Sequence, residues 1–513
     1  MNSPDHVVRM DDMANSERRP RMGWALWLAL FAGALTLGLL IYNWMTHQGA
    51  GHGGGGDGHG HVDVPPLWAI GVLPFVAILF SIAILPLLPW THHWWESNLN
   101  RLGVSLVVSL LTIVYYIWWK DISHITLVLE HAIVQDYIPF IVLLFSLYVI
   151  SGGIAVRGDL SAHPSTNTAF LAVGSVIASF VGTTGAAMLL IRPILQTNAE
   201  RKYKIHTIVF FIFLVANIGG TLLPIGDPPL FLGYLRGVPF FWTLNLWPQW
   251  AVCVVVLLIV YYIWDHVLYR REAAADIERD ETETAPLRLQ GWSNIFLLGG
   301  IVCSVAFLIP GQPLPIVGET LGVNTPMFAR EVAMLALVGV SILITPRSAR
   351  EYNRFNYAAI AEVAALFIGI FIAMQVPLDV LRAYGNTISE VFNQPWHFFW
   401  TTGSLSAFLD NAPTYAVFFE LSQAMPTDEQ TEMLQLMGER GAISLALLIA
   451  ISLGSVFMGA MSYIGNGPNF MVKAIAEQAG VDMPSFFGYM IKYSIPVLIP
   501  LFIIVNLIFL IGS

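Results

Sequence analysis

The sequence predicts an all-α polytopic membrane protein, with about eleven transmembrane helices and two re-entrant hairpins arranged as an inverted-topology repeat. Three observations predict it. First, 56% of the 513 residues are hydrophobic and only 11% are charged, against roughly 25% charged in an average soluble domain. Second, the charges crowd into the first 21 residues and into 270–288, leaving apolar runs long enough to cross a bilayer. Third, two pairs of short motifs recur in the same order in the two halves. So few charges cannot solvate a water-soluble chain of this length. A net charge of −10 without a basic patch also speaks against a nucleic-acid partner.

The elements follow in order. Residues 1–46 are a cytoplasmic tail and a first membrane helix, about 22–45. That apolar stretch is too long for the core of a signal peptide, and no small-residue cleavage pattern follows it, so the helix is retained. Residues 47–66 form a Gly/His-rich periplasmic linker carrying His47, His52, His59 and His61. Its composition reads as a flexible tether, with weak metal binding or pH sensing as the other possibility. Residues 67–269 make the first repeat, with spans at 67–89, 102–119, 137–156 and 243–265. Residues 270–291 are a charged cytoplasmic connector, read as solvated helix or coil. Residues 292–513 make the second repeat, with spans at 292–310, 328–345, 356–376 and 488–511. Cys253 and Cys303 lie in separate apolar runs and read as packed small residues.

Four apolar stretches do not fit simple spanning. Segments 166–196 and 396–423 carry polar and small residues at their middles, Gly182-Thr183-Thr184-Gly185 and Asp410-Asn411-Ala412-Pro413. These are the two hairpins. Segments 206–235 and 441–478 are interrupted by Pro224-Ile225-Gly226-Asp227-Pro228-Pro229 and by Gly465-Asn466-Gly467-Pro468-Asn469. Proline cannot continue the hydrogen-bond ladder, so these read as broken helices, and lipid cannot satisfy the freed backbone. Arg9, Arg18, Arg19 and Arg21 put the N-terminus in the cytoplasm. Alternation then puts Arg157, Arg201, Lys202, Lys204 and the connector inside and the C-terminus in the periplasm, with the hairpins entering from opposite faces. This is a multi-pass protein of the cell inner membrane.

The repeat rests on alignment. Residues 179–188 (SFVGTTGAAM) match 406–415 (SAFLDNAPTY), and 225–232 (IGDPPLFL) match 464–471 (IGNGPNFM). Charge inside a membrane is functional by default, which singles out Asp227 and Asp410. A carboxylate there holds Na⁺ or a proton, not both at once, and such competition suffices for exchange. Asn411, Asn466, Asn469, Thr183, Thr184, Thr221 and Ser462 offer neutral oxygens of the kind hard cations take. Asp410 ranks first, as the only acid in either hairpin tip. For both acids the competing role is a helix cap, and for the threonines it is close packing. Glu362 is a candidate for a proton path. Arg192, Glu331 and Glu420 read as interfacial, and Trp94, Trp95, Trp118 and Trp119 as interface anchors.

The motifs TTGAAMLLIRP (183–193), GDPP (226–229), FLDNAPT (408–414) and GNGPN (465–469) resemble those of the ion transporter superfamily. They are most similar to NhaD-type sodium/proton antiporters and to relatives labelled putative citrate transporters. The resemblance covers roughly residues 70–511. It implies a scaffold and a transport domain, a homodimer, an elevator-like movement, and a cation site lined by Thr183, Thr184, Asp410 and Asn411. It implies Na⁺ or Li⁺ and H⁺ as transported partners, with no cofactor. Dicarboxylate symporters of the superfamily carry Ser-Asn-Thr at both tips, which this chain lacks.

Two functions from the transport class stay open: Na⁺ (or Li⁺)/H⁺ exchange, and Na⁺- or metal-coupled symport of citrate or a dicarboxylate. A membrane enzyme is not expected. Asp227 has Pro224 three residues before it, where an intramembrane aspartyl protease needs glycine, and no HExxH motif occurs.

Overall fold

The structure, a computed structural model, describes residues 64–511 except 87, 121, 283, 316, 317, 427–430 and 439. All of them belong to one unit, Asp57–Ser513. The first membrane helix and most of the His-rich linker, with all four of its histidines, lie outside the described residues.

The chain opens with α1 (Trp68–Ile84), α2 (Asn98–Trp119) and α3 (Ile122–Ser151). A hairpin follows, α4 (Pro164–Val181) and α5 (Thr183–Thr197), then a broken helix, α6 (Ile205–Leu214) and α7 (Pro228–Leu235), then α8 (Trp247–Tyr269). After a connector helix α9 (Ala274–Thr282), the same order recurs. The helices α10 (Ser293–Phe307), α11 (Ala329–Ile344) and α12 (Ala358–Ala373), continued by α13 (Gln375–Ser389), lead to a second hairpin. That hairpin is α14 (Pro395–Phe408) and α15 (Asn411–Gln423). A broken helix, α16 (Leu445–Met458) and α17 (Gly467–Gln478), and a closing helix α18 (Ile495–Phe509) complete it.

This is a mostly helical, polytopic membrane protein. Among the described residues, six helices are long and apolar enough to cross a bilayer, and four apolar helices are shorter. Large side chains stand outward on α2 (Val107, Leu110, Leu111, Val114), α8 (Val255, Ile259, Ile263) and α18 (Ile503, Leu507, Ile508). Water would penalise such belts, and hydrocarbon does not. Inside, α2 packs on α12, α4 on α5, and α14 on α16, around one large apolar core and two smaller clusters.

Three segments depart from the sequence expectation. The third span begins at Ile122, not near 137, because its polar stretch is helical: Glu130–Tyr137 is wound as π-helix inside α3. The span expected to end near 376 runs on to Ser389, its charges partnered, with Tyr116 donating to Asp379 at 2.7 Å. The connector, expected as solvated helix or coil, is helical over Ala274–Thr282 but docked on the first half of the chain. Strand β2 (Ala285–Gln290) pairs antiparallel with β1 (Ala155–Asp159), and Ala162 N–H donates to Asp280 at 2.8 Å. A two-residue period needs a partner strand to become structure, and that partner lies about 130 residues earlier.

The base of the first hairpin carries a charge network the sequence did not announce. Asp265 on α8 is fully buried, lies 2.6 Å from the Arg201 guanidinium, and accepts hydrogen bonds from Arg201 at 3.1 Å, His206 at 2.9 Å and Tyr261 at 3.2 Å. Asp265→Asn takes from the buried Arg201 guanidinium the nearer of its two counter-charges, leaving Glu272 at 3.5 Å. We expect it to cost about 3–5 kcal/mol, read as a lowered melting temperature of the purified protein.

Candidate functional site

Both breaks are built by local backbone rules. Residues before proline are pushed out of the helical region, and Asp227, before Pro228, is extended at φ −143° and ψ 142°. Pro228 and Pro229 then fit the first turn of α7, where an N–H is not needed. Asn466 is extended in the same way ahead of Gly467 and Pro468. The first hairpin turns at Gly182, whose φ of +79° suits glycine. The Thr183 N–H at its tip donates to Gly226 O at 2.8 Å, tying hairpin to break.

The aligned serines do parallel work. Ser179 donates to Gly219 O at 2.5 Å, and Ser406 to Ser455 O at 2.7 Å. Each pins the first arm of a hairpin to the broken helix of its own half.

The two halves meet at Asp227. Its side chain is buried and does not cap α7. Oδ1 accepts from Thr183 Oγ1 at 2.9 Å and from Asn466 Nδ2 at 2.9 Å. Oδ2 accepts from Asn411 Nδ2 at 2.7 Å. One carboxylate therefore joins both hairpin tips and both breaks. A second link runs beside it: Asn217 donates to Asn469 Oδ1 at 2.7 Å, and Asn469 donates to Gly459 O and Ser462 O at 2.8 and 2.9 Å.

The remaining candidates are placed as follows. Asp410 is half-buried and caps α15, accepting from Ala412 N–H at 3.1 Å. Thr184 is half-buried one residue past Thr183. Thr221 turns to its own backbone, donating to Ile218 O at 2.6 Å. Ser462 organises the second break, donating to Ala407 O at 2.5 Å and accepting from Ile464 and Gly465 N–H at 3.2 Å. Glu362 is paired with Arg101 of α2 at 3.0 Å, not with the cluster. Arg192 donates to Asn353 O at 3.2 Å, Glu331 pairs with Arg330, and Glu420 pairs with Arg382. Sequence reasoning missed Asn217. Its signal was a lone asparagine in an apolar run just ahead of Gly219-Gly220.

Chemically, Asp227 is a buried acid, and none of the side chains bonded to it is cationic. A buried charge needs a compensating partner. The Oδ1 of Asn411 is buried beside it without a hydrogen-bond partner, an oxygen free to face a cation. Helices α5, α7, α15 and α17 begin at this cluster, and α4, α6, α14 and α16 end around it. Amide ends and carbonyl ends converge, the arrangement by which broken helices hold charged groups.

Residues 64–510 match the family model described as putative citrate transport. No curated protein matches the chain.

Proposed function

The chain belongs to the putative citrate transport family and is therefore read as a secondary transporter, and from that premise we propose that it exchanges Na⁺ (or Li⁺) for H⁺ at Asp227. One observation carries the choice of ion. Thr183, Asn411 and Asn466 all spend donors on the Asp227 carboxylate. A substrate carboxylate arriving there would meet committed donors and a like charge. A cation would meet an uncompensated carboxylate and the unpartnered Asn411 oxygen. Asn466, Asn469, Asn217 and Ser462 hold the breaks in shape around it. Alternating access then carries the cluster between the two membrane faces, in a homodimer of the inner membrane, by an elevator-like shift.

Symport of citrate or a dicarboxylate with a cation is the second reading. The observation in its favour is the four helix N-termini at the cluster, whose dipoles favour an anion. Purified protein in liposomes holding a pH dye separates the two. Pulses of Na⁺ or Li⁺, but not K⁺, should move protons without citrate. A response that needs citrate would replace exchange by symport.

Orientation is tested by single-cysteine labelling after Cys253 and Cys303 are replaced. Gly55→Cys should label from outside and Glu278→Cys should not. Glu278 is the probe because it is exposed, whereas neighbouring Asp280 is buried. The reverse pattern would overturn the assignment of the N-terminus to the cytoplasm.

A further inference from the structure

A cavity of about 470 Å³ lies one helix length from Asp227, and two ion pairs stand in its wall. Arg236, closing α7, pairs with Asp136 of α3 at 3.5 Å. Arg382 of α13 pairs closely with Glu420 of α15. Arg236 and Glu420 each stand nine residues past a cluster residue, Asp227 and Asn411, which is about 13 Å at 1.5 Å per helical residue. Helices α7 and α15 also pack along each other.

The partners share a pattern. Asp136 and Arg382 sit on α3 and α13, the long helical runs that precede each hairpin. Arg236 and Glu420 sit on helices that start at the cluster. The charge sense is reversed between the pairs: the cation rides the cluster helix in one and the anion rides it in the other. Asp136 comes from the π-wound stretch of α3, an irregularity common where a side chain must be re-aimed. Asp136, Arg236 and Glu420 are all buried. The Arg201–Asp265 network contrasts with this. It closes on elements around the first hairpin, with Arg201 and Asp265 both buried, whereas here separated partners could be rehydrated by the cavity.

We propose that Asp136–Arg236 and Arg382–Glu420 are a paired latch: positioning residues that hold α7 and α15 against α3 and α13 in this state and part when the cluster changes sides. This rests on the alternating-access reading above. Either pair alone would leave one cluster helix free to slide, and the opposed signs keep each pair from rejoining the other's partner on the same side.

The test bridges the cavity without touching the latch. Gln135 of α3 and Gln423 of α15 line it. Gln135→Cys with Gln423→Cys, in a background lacking Cys253 and Cys303, is joined by a reductant-cleavable bis-maleimide. Ion-driven proton flux in liposomes should fall at least about tenfold on bridging and return on cleavage. Unchanged flux in the bridged protein overturns the latch while leaving exchange at Asp227 standing. A second measurement needs no transport. With Thr184→Cys as reporter, Asp136→Asn plus Arg382→Gln should change the maleimide labelling rate at least about threefold, and Asp136→Glu plus Arg382→Lys should restore it. An unchanged rate overturns the latch whether or not the protein exchanges Na⁺.

Discussion

Asp227→Asn is expected to bring cation-driven proton flux to background in liposomes while the protein stays folded. The variant keeps the side-chain volume and an oxygen for Thr183, but it removes the charge that a cation or proton would answer. Loss of a buried charge partner is worth about 3–5 kcal/mol, which is at least about 100-fold in ion affinity. Asp227→Glu keeps the charge but lengthens the reach, so it should retain some flux with a changed apparent ion affinity. Asp410→Asn is the informative comparison. Asparagine caps a helix about as well as aspartate, so α15 should remain intact, and any lost flux reports the Asp410 charge alone. We expect measurable exchange to survive in it. Background flux in Asp410→Asn with near wild-type flux in Asp227→Asn would reverse the two roles and make Asp227 only a structural acid.

The second large effect is on stability. A Cβ on Gly226 would lie 2.2 Å from Gly220 O and 3.0 Å from Leu223 O, all main-chain atoms of the first break. Backbone cannot swing aside as a side chain does. Gly226→Ala should therefore cost about 3 kcal/mol or more and weaken the Thr183 N–H bond to Gly226 O that ties the hairpin down. Gly467→Ala is the matched control, because a Cβ there meets nothing within 4 Å. It should move stability by about 0.5 kcal/mol or less. Thermal unfolding of both proteins in the same detergent decides. Equal melting temperatures would mean that the first break tolerates a wider backbone spacing than the structure shows.

Much of the architecture was legible in the chain because its signals are local. Pro228, Pro229 and Pro468 mark breaks because they stand beside Gly226-Asp227 and Asn466-Gly467, whereas the isolated Pro193 sits inside a helix, and Gly182 marks a turn by the conformation it alone adopts readily. The paired motifs around Thr183 and Asp410, and around Asp227 and Asn466, located the hairpins and breaks that the structure shows. The elements missed were those whose meaning depends on a distant partner. Residues 130–136 fall outside the span read from 137 onward until the helix is seen to run through them with Arg236 beside Asp136, and residues 285–290 look like coil until β1 is alongside.

The same distinction governs the candidate site. Sequence alone determined which residue types stand at the breaks, and so that an acid, a threonine pair and several asparagines would be close in kind. It ranked Asp410 above Asp227 on position in a hairpin tip. Only the tertiary structure decided where the donors go. The bonds on Asp227 come from residues 44, 184 and 239 positions away, whereas the bond on the Asp410 carboxylate comes from Ala412, two positions away. A cap is a local arrangement that a short stretch of chain can specify. A buried acid shared by two hairpins and two broken helices exists only once all four have packed, because the first break supplies the carboxylate and the other three elements contribute one bond each.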